Sequence, residues 1–158
     1  MKTEEKAAVP TVPPMKLERI LVPMDFSSAS EQALDYAVTL AVKFEARITL
    51  IHVVEIIAGP MDPTYGYVPL DDGPLVAASA SRLEKIASEK IPAALLESTL
   101  GRSGTPYQQI TDVAKELNMD LIVISTHGYT GLMHVLMGST AERIVRHAPC
   151  PVLTVRSR

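Results

Sequence analysis

The chain has 158 residues, of which 47% are hydrophobic and 4% aromatic, with no Trp and a formal net charge of −3. It is long enough for one domain with an aliphatic core and too apolar for a disordered chain; it offers no basic field for nucleic acid and no basic amphipathic face for a membrane surface. Its single cysteine, Cys150, excludes an intrachain disulfide and suits a reducing cytosol.

Residues 1–16, MKTEEKAAVPTVPPMK, carry charges of both signs and three prolines but no apolar stretch. They read as a flexible tail rather than a secretory leader, ahead of a domain expected over residues 17–158. No apolar run reaches the roughly 20 residues needed to span a bilayer, so no membrane partner is expected.

Arg19-Ile20-Leu21-Val22-Pro23 predicts a short strand buried on both faces. Ser28 and Glu31 then stand in capping-box spacing. Leu34, Ala37, Val38 and Ala41 follow at i, i+3, i+4 and i+7, one apolar stripe of a helix. Ile48 to Val54 is a second buried strand, in which His52 reads as a satisfied core histidine. The segment from Ile57 to Pro74, with four prolines, three glycines and three aspartates, is the longest irregular connection.

Leu83, Ile86, Ala87 and Ile91 mark a second helix that Pro92 should end. Ala94 to Leu100 is the most polar of the expected strands, and a Gly-containing turn follows it. Thr105-Pro106-Tyr107-Gln108 is a second capping box with proline at the first helical position. Ile110, Val113, Ala114 and Leu117 form its stripe, and Asn118 can adopt a left-handed stop.

Asp120 to Ser125 is the fourth strand. Ser139 and Glu142 make a third capping box, with Ala141, Ile144, Val145 and Ala148 as the buried face. Arg143, Arg146 and His147 lie toward that helix's C-terminal end, where cations complement the dipole. Pro149-Cys150-Pro151 breaks the helix, with Cys150 structural rather than reactive, and Val152 to Val155 is the fifth strand. The order β-α-β-α-β-α-β-α-β predicts a doubly wound α/β domain, a parallel sheet with helices on both faces.

Ligands bind such sheets beyond the C-terminal strand ends. Those ends carry Pro23-Met24-Asp25, Val53-Val54-Glu55 and Ser125-Thr126-His127-Gly128. The stretch STHGYTGLMHVLMGST, residues 125–140, then closes on Gly138-Ser139-Thr140 at a helix start, where free N–H groups and the dipole favour an anion. Gly128, Gly131 and Gly138 allow backbone to approach phosphate oxygens, and the hydroxyls of Ser139 and Thr140 can donate. On the residues alone, a plain Gly/Ser-rich turn capped by Ser139 is the more economical description. There is no Gly-Lys-Ser/Thr of a Walker A loop and no G-x-G-x-x-G fingerprint. Asp25 is either a ligand-binding carboxylate at a strand end or a helix-start aspartate. His127 has no catalytic or metal-ligand spacing around it and contributes its loop backbone, while Met133, Leu136 and Met137 are expected to pack down as an apolar flap.

The spacing resembles the signature of the universal stress proteins: Gly, two residues, Gly, nine residues, Gly, then Ser or Thr. Here Ser125 takes the first glycine's place, and Gly128, nine residues, then Gly138-Ser139 follow. The opening ILVPMDFSSASEQAL and the close AERIVRHAPCPVLTV also resemble this family, so the likeness covers residues 17–156. It implies a five-stranded parallel sheet of order 3-2-1-4-5 that holds ATP, with Mg²⁺ or Mn²⁺ as counter-ion. Asp25, with Pro23 and Met24, would face the ribose and adenine, and Val53 the adenine. Gly128, Gly138, Ser139 and Thr140 would hold the phosphates, with Ser125, Thr126, His127 and Gly131 completing the set.

The likeness further implies a homodimer through Val152–Val155, the simplest cover for an apolar edge strand. No Lys or Arg occurs from Ser125 to Thr140, so the cationic clamp of rapid phosphoryl transfer is missing and hydrolysis is expected to be slow or absent. Met24-Asp25-Phe26-Ser27-Ser28 also replaces the Ser-Gly-Gly-x-Asp-Ser loop of enzymes that split ATP on a similar sheet. The expected function is that of a cytosolic, ATP-binding stress regulator. The alternatives are a protein-interaction module with no ATP or another adenosine ligand, and a slow ATPase.

Overall fold

The computed structural model describes residues 15–55, 61–62, 66–67, 71–126 and 137–156. In chain order the elements are β1 (Arg19–Pro23), α1 (Ser28–Phe44), β2 (Arg47–Glu55), the two-residue strands β3 (Met61–Asp62) and β4 (Gly66–Tyr67), and α2 (Gly73–Lys90). They continue with β5 (Leu96–Gly104), α3 (Pro106–Glu116), β6 (Leu121–Ser125), α4 (Ser139–His147) and β7 (Val152–Val155). Strands β3 and β4 pair with each other as a separate two-stranded antiparallel sheet. The other five form a parallel sheet of order β5-β2-β1-β6-β7, which is 3-2-1-4-5 when its own strands are counted along the chain.

Alternation along β1 divides the core. Ile20 and Val22 pack with Leu34 and Ala37 of α1 and Leu83 and Ala87 of α2. Leu21 points the other way, into Ile110 and Val113 of α3 and Ala141 and Ile144 of α4. All three β1 residues are fully buried. A strand covered on both faces has no solvent side to mark with polar residues, hence its unbroken apolar run. Cys150 packs partly buried on the α3/α4 side. Burial pushes its thiol pKa up, the Asp120 carboxylate adds to that, and a backbone hydrogen bond with Ile122 opposes it. A thiol held protonated is a poor nucleophile, in keeping with a packing role.

The helix starts differ from the sequence reading. In α1 the cap is Ser27, not Ser28: its hydroxyl oxygen accepts the Ser30 N–H at 3.1 Å. That register moves Glu31 past the capping position, and its carboxylate meets Lys90 at 3.4 Å instead. Thr105 does precede α3, but its side chain makes no capping bond. In α4 the cap residue is Gly138, and Ser139 is already helical. Val145 is 47% exposed rather than part of the buried face.

Strand β5 runs from Leu96 to Gly104 and is preceded by a 3₁₀ turn at Ala93–Leu95, so it begins later and ends later than its apolar pattern suggests. Its ladder with β2 continues to the pair Glu55 and Gly104, and backbone pairing carries it through residues that read as a turn. Helix α3 ends as expected at Asn118, whose φ of 49° is left-handed. Met119 N–H reaches the Ala114 carbonyl at 2.9 Å and Asn118 N–H that of Lys115 at 3.2 Å, a Schellman stop.

Gly101 of β5 sits beneath α2, and a Cβ there would lie 2.7 Å from the Val76 carbonyl oxygen. Gly101→Ala should therefore lift α2 from the sheet and lower stability by about 1–3 kcal/mol, read as a reduced urea midpoint. In Gly73→Ala the new methyl meets the Asp71 side chain, which can swing away; that variant should stay within about 0.5 kcal/mol of the parent.

Candidate nucleotide site

β1 and β6 are neighbours, yet the chain leaves β1 for α1 on one face and β6 for α4 on the other. This is the switch point of the sheet, and the loops diverge there. A cleft of about 290 Å³ opens at the C-terminal strand ends. Of the residues singled out from sequence, Pro23, Met24, Asp25, Val53, Ser125, Thr126, Gly138, Ser139 and Thr140 all line it. His127, Gly128 and Gly131 lie outside the described residues, as do Met133 and Leu136 of the expected flap. Met137 packs partly buried against the α3/α4 core.

The cleft also draws on Ile51, His52, Glu55, Pro106, Ile110 and Ile124. The sequence reading placed Glu55 at the end of β2 but assigned none of these as site residues. Pro23 pairs in register with Ile51, so His52 and Val53 are the first β2 residues to project beyond the end of β1. Only strand register reveals that, and no single-strand pattern encodes it.

The β1 end is an ordered turn. Met24 N–H donates to the Ile51 carbonyl at 2.8 Å, and His52 Nδ1–H donates to the Met24 carbonyl at 2.7 Å. His52 is thus satisfied, as expected, but it is half-buried at the cleft wall rather than in the core. Asp25 Oδ1 accepts both the Ser27 N–H, at 3.0 Å, and the Ser27 hydroxyl. Both bonds use one carboxylate oxygen. Oδ2 has no hydrogen-bond partner among the described residues.

The α4 end is fixed by backbone. Thr126 N–H donates to the Val155 carbonyl at 2.9 Å, and Gly138 N–H donates to the Thr126 carbonyl at 2.6 Å. A Cβ on Gly138 would stand 3.2 Å from that same carbonyl oxygen, a tight contact that a larger residue could take only if the Thr126 carbonyl gave way by a few tenths of an ångström. The Gly138 N–H is thereby engaged within the protein. Ser139 and Thr140 are the α4 residues beyond it at the cleft, and no side chain caps this helix. Among the described residues that line the cleft there is no Lys or Arg, whereas Asp25 and Glu55 bring two carboxylates.

Residues 16–156 match the universal stress protein family. The chain belongs to that family. A universal stress protein of Methanocaldococcus jannaschii is 34% identical over 145 residues, spanning 88% of this chain and 82% of its own. Among solved structures, the universal stress protein UspA from Lactobacillus plantarum matches with a TM-score of 0.70 at 29% identity, over 89% of this chain and 99% of that one. Two more distant ones share the fold. A universal stress protein in complex with cAMP has a TM-score of 0.61 at 20% identity, over 89% of this chain and 98% of that one. One from Archaeoglobus fulgidus in complex with dAMP has 0.57 at 21%, again over 89% and 98%.

In this universal stress protein Ser27 serves two structures at once, the α1 cap and the Asp25 turn. Ser27→Ala should cost about 0.5–2 kcal/mol in thermal or urea unfolding, and Ser27→Thr should retain most of that stability.

Proposed function

We propose that this universal stress protein binds ATP in the cleft at the β1/β6 switch point, with Mg²⁺ or Mn²⁺ as counter-ion. In this reading it acts as a cytosolic, homodimeric regulator in stress responses that hydrolyses the nucleotide slowly or not at all. The observation that carries the reading is convergence: Asp25, Val53 and the Ser139–Thr140 helix start come from three distant parts of the chain and line one cleft. The two structures of this fold named for cAMP and dAMP complexes support an adenine nucleotide as the ligand class.

A cleft of about 290 Å³ lies near the lower end of the ~300–1,000 Å³ usual for small-molecule sites. It suits a nucleoside, with phosphates extending over the start of α4. Asp25 Oδ2 would accept the ribose hydroxyls, and Val53, Met24 and Pro23 would flank the base. Ser139 and Thr140 would offer amide and hydroxyl donors to phosphate oxygens, aided by the positive end of the helix.

The described residues contain no group of three or more His, Cys, Asp or Glu placed to hold a metal ion. A divalent cation would therefore rest mainly on the phosphate oxygens and water, supplying the positive charge that the lining lacks. With no Lys or Arg among those lining residues to meet charge developing on a transferred phosphoryl group, turnover should fall far below the ~1–100 s⁻¹ of kinases.

Mass spectrometry of small molecules released from denatured, purified protein should find an adenine nucleotide. Calorimetry should give ATP binding that strengthens with Mg²⁺, while adenosine binding is indifferent to it. Asp25→Asn should weaken ATP by about ten- to hundredfold. Absence of heat with ATP, AMP and cAMP on folded protein containing Mg²⁺ overturns the proposal.

The homodimer rests on β7, an edge of the sheet whose Leu153 is 37% exposed. A second copy pairing there would satisfy the edge and cover that side chain. Sedimentation should give a dimer mass, with Leu153→Asp shifting it to monomer. A monomer mass at all concentrations would remove the dimer from the proposal.

A further inference from the structure

Phe26 carries a φ of 64°, in the left-handed region. For a bulky aromatic residue this is an outlier, and such conformations persist where surrounding contacts over-determine them. The contacts are visible on both sides. Its ring centroid lies 4.4 Å from that of His52 on β2, with the planes tilted by 31°. The guanidinium carbon of Arg82, on α2, lies 4.1 Å from the same ring centroid. Arg82 is exposed and enters no salt bridge among the described residues, so this ring is the contact that its charge makes.

The position of Phe26 gives these contacts a use. It stands between Asp25, whose Oδ1 is tied to Ser27, and the α1 cap formed by Ser27 itself. His52, which touches the Phe26 ring, also holds the Met24 carbonyl on the other side of Asp25. The residues flanking Asp25 are thus anchored to β2 and α2, two elements remote from it in sequence. The left-handed Phe26 immediately follows Asp25, whose Oδ1 is tied back to Ser27 while Oδ2 has no hydrogen-bond partner among the described residues.

We infer that Phe26, clamped by Arg82 and His52, is a positioning residue that orients the Asp25 carboxylate toward the ribose hydroxyls of a bound nucleotide. Arg82 exerts its effect through the ring, without lining the cleft. The inference rests on the nucleotide reading above and adds the residues that set its ribose selectivity.

Affinities for ATP and for 2′,3′-dideoxy-ATP, each with Mg²⁺, test this in the full chain. The parent should prefer ATP. Arg82→Ala should weaken ATP by about two- to fivefold, the effect of losing an exposed cation–π contact, and leave the dideoxy nucleotide unchanged. Arg82→Lys, which keeps a cation over the ring, should recover most of the difference. Phe26→Gly accepts the positive φ without steric cost but removes the ring; it should fold and abolish the preference. If Arg82→Ala and Phe26→Gly keep the parent's preference, or weaken the two nucleotides equally, Phe26 is structural only and the inference fails. A parent that binds both nucleotides equally also overturns it, while nucleotide binding itself stands. A parent that binds neither overturns both.

Discussion

The interaction on which the rest depends is the side-by-side pairing of β1 with β6 while their following helices take opposite faces. Ile20 and Leu21 pair with Leu121 and Ile122, fixing the two strands in register. The helices cannot both lie above the same edge, so the loops leaving Pro23 and Ser125 part and leave a cleft between them. Nothing specific to a ligand is needed to open it. The residues at those two exits inherit the site from the topology, which is why short sequences there carry so much of the function.

Much of this was legible because the physics is local. The apolar runs of β1, β2 and β6 identified buried parallel strands, and the helix stripes fixed the order of elements from which the two-faced sheet follows. Legibility failed where a longer-range contact decided the outcome. The shift of the α1 cap from Ser28 to Ser27 follows a turn that β2 holds from the other side. The extent of β5 is set by its ladder with β2 rather than by its own weak pattern. Within the site, Asp25 and Ser139 were readable from their places at a strand end and a helix start. His52 was not, because its exposure at the cleft depends on how far β2 overreaches β1.

The electrostatics of the cleft bear directly on the proposed nucleotide binding. A carboxylate can receive sugar hydroxyls without altering the charge of a nucleotide, whereas phosphates need compensation that the described lining does not contain. Helix-end amides supply partial charge only. In the nucleotide-binding reading proposed above, occupancy of such a site would depend on the cation accompanying the ligand.

The bond from Gly138 to Thr126 brings together two residues separated by eleven positions, and Thr126 is itself fastened to β7. The junction between the sheet and α4 is thus closed by backbone bonds at the two ends of the intervening span. Doubling such a span costs only about 0.6 kcal/mol of closure entropy. Lineages could lengthen, shorten or rewrite that stretch to suit new ligands or partners without renegotiating the scaffold, so long as a small residue remains at its exit.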